Sequence, residues 1–105
     1  MNESLDAAFS ALADPTRRAI LARLAGGEAP ATALAAPFAI SQPAVSRHLK
    51  VLEGAGLIER RAEGTRRICR IAPGAFDGPT AFIGGLREVL EARYARLDAV
   101  LEEGS

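Results

Sequence analysis

Between Ser41 and Lys50 the chain reads Ser-Gln-Pro-Ala-Val-Ser-Arg-His-Leu-Lys, and arginine then recurs at 60, 61, 66, 67 and 70. These side chains share one chemistry, the recognition of anions and polar edges. A glutamine amide presents a paired donor and acceptor, and an arginine fork fits a carboxylate, a phosphate or a guanine edge. No catalytic set accompanies them. His48 and Cys69 are the single histidine and the single cysteine, they fall on different predicted elements, and they make no nucleophile–base pair. No glycine-rich phosphate loop or nucleotide fingerprint is present. Neither an enzyme nor a bound cofactor is expected. One cysteine closes no internal disulfide, so a reducing cytoplasm is the expected location.

The elements that must position these residues follow from periodicity and punctuation. Leu5, Ala8, Phe9 and Leu12 recur at helical spacing over 3–13. Asp14-Pro15 starts a second helix, with Asp14 as cap and Pro15 at the first position, and Gly26-Gly27 ends it. Residues 31–36 read as a short third helix before Pro37. Ser41 caps a fourth, over 41–55, whose Val45, Leu49 and Leu52 form a buried stripe. Pro43, Arg47 and Lys50 then point away from the core, with Gln42 and Ser46 on the flank near the N-terminus. At 57–72 the period changes to that of a hairpin turning at Glu63-Gly64-Thr65, and Gly78-Pro79 reads as a further turn. A last helix runs over 80–103, its seam of Ile83, Leu86, Leu90, Leu97 and Val100 interrupted by Arg93. So long a seam on so short a chain suits a partner helix.

Composition sets the outer limits. A chain of 105 residues, 49% hydrophobic and 25% charged, is one domain, expected to span 1–105. No apolar run is long enough for a membrane span, and Met1–Leu5 has none of the features of a signal peptide. Twenty-two alanines and five aromatics predict a thin core. The net charge is zero but uneven. Residues 41–71 carry seven cations against three carboxylates, and both ends of the chain are acidic. A basic middle of this kind attracts phosphate despite the neutral total.

Two helices, a short third, a helix entered at Ser-Gln-Pro, an arginine-rich hairpin and a long last helix form the order of a winged helix-turn-helix. The fold expected is mostly α with a small β wing, five helices with the hairpin between the fourth and fifth. In such a fold the N-terminal residues of the reading helix meet base edges in the major groove. Ser41, Gln42, Pro43, Ser46, Arg47, His48 and Lys50 are the candidate DNA contacts there, and Arg61, Arg66 and Arg67 those of the wing.

LADPTRRAIL at 12–21, SQPAVSRHLKVLEGAGLIERR at 41–61 and EGTRRICRIAP at 63–73 resemble the arsenical-resistance-repressor (ArsR/SmtB) family of bacterial regulators. The last helix resembles more weakly the terminal helix of one branch. The resemblance implies a cytoplasmic, homodimeric transcriptional repressor, paired through its first and last helices, that binds double-stranded DNA at an inverted repeat, often in its own promoter. Leu5, Phe9, Ile83, Leu86, Leu90, Tyr94 and Leu97 are then the candidate dimer contacts. The family's metal sensors use cysteines in the third helix or His/Asp pairs on the last. Here 28–40 has neither cysteine nor histidine, and Asp98 and Glu102 stand without a histidine. No metal site is expected.

Some residues carry two readings. His48 is either a half-buried structural histidine or a phosphate contact. Cys69 is either a small apolar strand residue or a redox-responsive thiol beside Arg67 and Arg70. Arg17 and Arg18 oppose the dipole of the helix they begin, so each meets a phosphate, pairs with Asp14 or lies in solvent. A winged helix serving protein interaction without DNA is the competing function, and a redox-responsive repressor using Cys69 is a variant of the first. The effector, small molecule or redox, is not named by the sequence.

Overall fold

The computed structural model describes residues 3–103. The two residues at each end of the expected 1–105 domain lie outside them. Helix α1 (Glu3–Leu12) has Glu3 and Asp6 in its first turn, where carboxylates favour the helix dipole. It buries Ala8 and Ala11. Helix α2 (Pro15–Ala25) starts as its sequence predicts: Asp14 is extended, and its Oδ2 accepts from the Arg17 N–H at 2.9 Å. Ile20, Leu21 and Leu24 face the core.

The expected third helix is instead two 3-10 turns, Ala31–Leu34 and Ala36–Phe38. Pro30 and Pro37 bracket the segment. Pro37 has no N–H for the carbonyl four residues back, and so few residues cannot repay helix nucleation. The turns still bury Leu34 and Ala35. The connection to the next helix passes through Ala39, the one non-glycine residue at positive φ (53°) among the described residues.

Helix α3 (Gln42–Gly54) is capped by Ser41, whose Oγ accepts from the Ala44 N–H at 3.2 Å. Val45, Leu49 and Leu52 are buried. Its end is closed by two bonds of 3.0 Å: Leu57 N–H donates to the Leu52 carbonyl, and Gly56 N–H to that of Glu53. That geometry needs a left-handed residue, which Gly56 supplies at φ +77°.

Strands β2 (Ile58–Glu63) and β3 (Arg66–Ile71) pair antiparallel from Ile58↔Ile71 to Glu63↔Arg66. The turn has two residues, with Gly64 at φ +62° in its first position. A two-residue strand β1 (Ala29–Pro30), which the sequence does not announce, pairs Ala29 with Cys69 and Pro30 with Ile68. The sheet order is β1-β3-β2. Pro30 is tolerated because β1 is an edge.

Helix α4 spans Asp77–Glu103, three residues earlier than the expected start at 80. The supposed turn at Gly78-Pro79 is its first turn. A proline there displaces no hydrogen bond, because the first N–H groups of a helix have no partner within it. Pro79 is buried, Leu5 lies against Gly78, and Phe82 meets Phe9 edge to face with centroids 5.9 Å apart. Beyond Gly84-Gly85 the helix leaves the body, and the molecule is 69 Å long and only 28 × 21 Å across.

Candidate nucleic-acid interface

On α3 the buried stripe turns the opposite side to solvent. Pro43, Ser46, Arg47 and Lys50 are exposed, and neither Arg47 nor Lys50 forms a hydrogen bond or ion pair among the described residues. Ser41 is exposed and spends its Oγ on the cap. Gln42 is exposed too, and its amide donates to the Thr32 carbonyl at 3.3 Å. His48 is half-buried, on the border between the two sides.

The wing divides its arginines. Arg66 and Arg67 lie beside the turn, exposed and, among the described residues, without ion pairs. Alternation along β3 sends them to opposite faces of the ribbon. Arg61, expected beside them, has two carboxylate partners instead. Its guanidinium grips Glu28 bidentately at 2.7 and 2.8 Å and Glu63 at 3.0 Å. The pairing holds the Glu28 carboxyl below the usual range. Arg70 pairs with Glu59 across the strands at 2.7 Å. Arg60 donates to Glu53 Oε1 at 2.8 Å, tying the wing to the last turn of α3 and lowering the Glu53 pKa. The Arg60 Nε is buried without a partner.

Arg18 is exposed and the Arg17 backbone N–H is held by Asp14, but both side chains have partners that the sequence did not announce. Both donate to the carbonyls that end α1: Arg17 Nε to Ala11 at 2.8 Å, Arg17 Nη2 to Ser10 at 3.2 Å, and Arg18 Nη1 to Leu12 at 2.8 Å. Cations suit a helix C-terminus, so the unfavourable placement on α2 is a favourable one on α1. The missed partners were Glu28, Glu53 and Arg17. Only the dipole mismatch at Arg17 signalled any of them in the sequence.

Cys69 is fully buried in β3. Burial pushes its thiol pKa up and outweighs the neighbouring Arg60, the reverse of what a reactive thiolate needs. Among the described residues no three His, Cys, Asp or Glu side chains come together as a metal site, and no helix is long and apolar enough to cross a membrane.

The candidate dimer residues fall into two groups. Leu5 and Phe9 are half-buried against α4 of the same chain. Ile83, Leu86, Leu90, Tyr94 and Leu97 are about half exposed, at 54, 52, 47, 60 and 55%. With Phe82, Val89, Val100 and Leu101 they form one apolar arc along α4.

Residues 12–61 match a family described as a helix-turn-helix domain. A crystal structure of the ArsR family transcriptional regulator RHA00566 aligns with a TM-score of 0.79 at 39% identity, over 85% of this chain and 92% of that one. The chain belongs to the ArsR family of transcriptional regulators. It is 51% identical over 70 residues to the HTH-type transcriptional regulator Rv2034 of Mycobacterium tuberculosis, a match that takes in 67% of this chain and 65% of that relative's length. The homodimeric winged helix-turn-helix DNA-binding domain Mb0332 of Mycobacterium bovis, solved in solution, aligns at 30% identity with a TM-score of 0.66. There the alignment covers 83% of this chain and 82% of that one.

Proposed function

We propose that this ArsR-family chain is a homodimeric, sequence-specific DNA-binding repressor that occludes a promoter at an inverted repeat, its own promoter being the first candidate. One observation carries the reading. On α3 and the wing, the cations without a carboxylate among the described residues, Arg47 and Lys50 on α3 and Arg66 and Arg67 at the wing tip, are those a duplex would meet, while Arg60, Arg61 and Arg70 are neutralised within the protein. Arg47, Gln42 and Ser46 read base edges, and Ser41 and Lys50 meet phosphates with the wing. Two copies joined along the α4 arc set two reading helices about 34 Å apart, one turn of the duplex; the Mycobacterium bovis neighbour is itself homodimeric. Such work belongs in the cytoplasm, with the DNA, and needs no catalysis.

The test is an electrophoretic shift with the upstream DNA of its own gene and with duplexes selected from a random pool, across a salt series. A specific complex weakening steeply with salt is expected. The paired substitution Arg47→Ala, Lys50→Ala should abolish it. An unchanged complex in that variant would refute α3 as the reading helix, and no specific complex with any duplex would favour a protein-interaction role for the fold.

A further inference from the structure

Helix α3 is tied to the molecule at three points: Gln42 to Thr32 at its start, Glu53 to Arg60 at its end, and His48 to Arg17 in its middle. The middle tie gathers three helices around one guanidinium. Arg17 donates from Nε and Nη2 to the carbonyls of Ala11 and Ser10 that end α1, and from Nη1 towards His48 Nδ1 at 3.4 Å. Its backbone N–H is held by Asp14, whose Oδ2 stands 3.9 Å from the same ring nitrogen. The His48 side chain keeps 23% of its surface, so it is turned mostly into this junction.

We propose that His48 is a positioning residue for operator reading: anchored through Arg17 to the end of α1 and the start of α2, it fixes the rotation of α3 about its own axis and so aims Arg47 and Lys50. The proposal rests on the DNA-reading function above. The apolar stripe of Val45, Leu49 and Leu52 sets how deeply α3 sits, but hydrophobic contact has no direction and tolerates rotation. A hydrogen bond is directional. A turn of about 10° moves a side-chain tip, about 6 Å from the axis, by about 1 Å, beyond the tolerance of a bidentate base contact. Arg47 and Lys50 lie one residue before and two after His48, so they move with it.

Two variants separate positioning from phosphate contact. His48→Asn keeps an acceptor near the place of Nδ1, and His48→Leu fills the space without one. Affinity is measured by fluorescence anisotropy for an operator selected by the wild-type protein and for a mixed-sequence duplex, across salt. The operator-to-mixed ratio is insensitive to any loss of folded protein. For His48→Leu that ratio should fall about tenfold, with the salt slope and the mixed-sequence affinity unchanged. His48→Asn should stay within about threefold of wild type, because its acceptor keeps the Arg17 bond. A salt slope lowered by about one unit, with both affinities falling together, marks a phosphate contact and overturns the proposal. So does an unchanged ratio in His48→Leu, or His48→Asn as impaired as His48→Leu. A wild-type protein that selects no duplex refutes the DNA-reading function itself, and the proposal with it.

Discussion

Replacing Leu86 with glutamate should convert the protein to a monomer without unfolding it. Leu86 is 52% exposed in the protomer, near the centre of the α4 arc, so the protomer tolerates a polar side chain there. Burying a whole leucine is worth about 1.5–3 kcal/mol, so covering its exposed half in a dimer is worth about 1 kcal/mol. Two-fold symmetry doubles that. A glutamate also leaves a desolvated carboxylate in each copy, a further loss of about 1–3 kcal/mol apiece. Together the loss is about 4–8 kcal/mol, at least about a thousandfold in the dimer constant. The wild-type arc has little to spare. Nine half-exposed apolar side chains on α4 give about 15–20 kcal/mol across two copies, against an association cost of about 4–15 kcal/mol. Sedimentation equilibrium over about 1–100 μM should find wild type at twice the 11.0 kDa chain mass and Leu86→Glu at that mass, with the same helical circular dichroism. A variant that sediments like wild type would refute the α4 interface, and a wild-type protein at 11.0 kDa throughout would refute self-association.

Other substitutions divide the site further. Arg66→Ala and Arg67→Ala should each reduce the salt slope of log affinity by about one unit, whereas Arg61→Ala, its guanidinium already on Glu28 and Glu63, should leave the slope unchanged. Gly56→Ala should destabilise the fold by about 1 kcal/mol, read as a lower urea midpoint, because alanine is strained at φ +77°. An equal midpoint would show that the end of α3 relaxes. Asp14, Glu28 and Glu53 have pKa values lowered by folding. Their contribution is therefore present above the unfolded carboxylate pKa and lost as pH falls through the folded values, so the melting temperature should drop on acidification below about pH 4.5. A melting temperature flat to about pH 3 contradicts that. Peroxide should leave DNA affinity intact, since the Cys69 thiol is buried with a raised pKa; release in wild type that disappears in Cys69→Ser would make the thiol a sensor after all.

What the sequence disclosed and what it hid divide by the range of the forces involved. The Asp14-Pro15 start, the Ser41 cap, the Gly64 turn and the Val45–Leu49–Leu52 stripe are legible because each depends on residues a few positions apart, and the structure has all four. The third helix misled because a run this short between Pro30 and Pro37 cannot repay helix nucleation, whatever alanine's propensity. The start of α4 misled because Gly-Pro reads as a turn until tertiary packing buries Pro79 against α1. Strand β1 has no signal of its own, being two residues recruited by β3. The site divides in the same way. The exposed side of α3 follows from helical geometry alone. Which arginines remain free to meet a duplex does not, because that is decided by partners far off in the chain: Arg61 and Glu28 are 33 positions apart, and Arg17 and His48 are 31. A count of basic residues therefore overstates the charge that the wing leaves free. Subtracting the guanidiniums that folding commits to Glu28, Glu53 and Glu59 leaves the smaller set on which binding would depend.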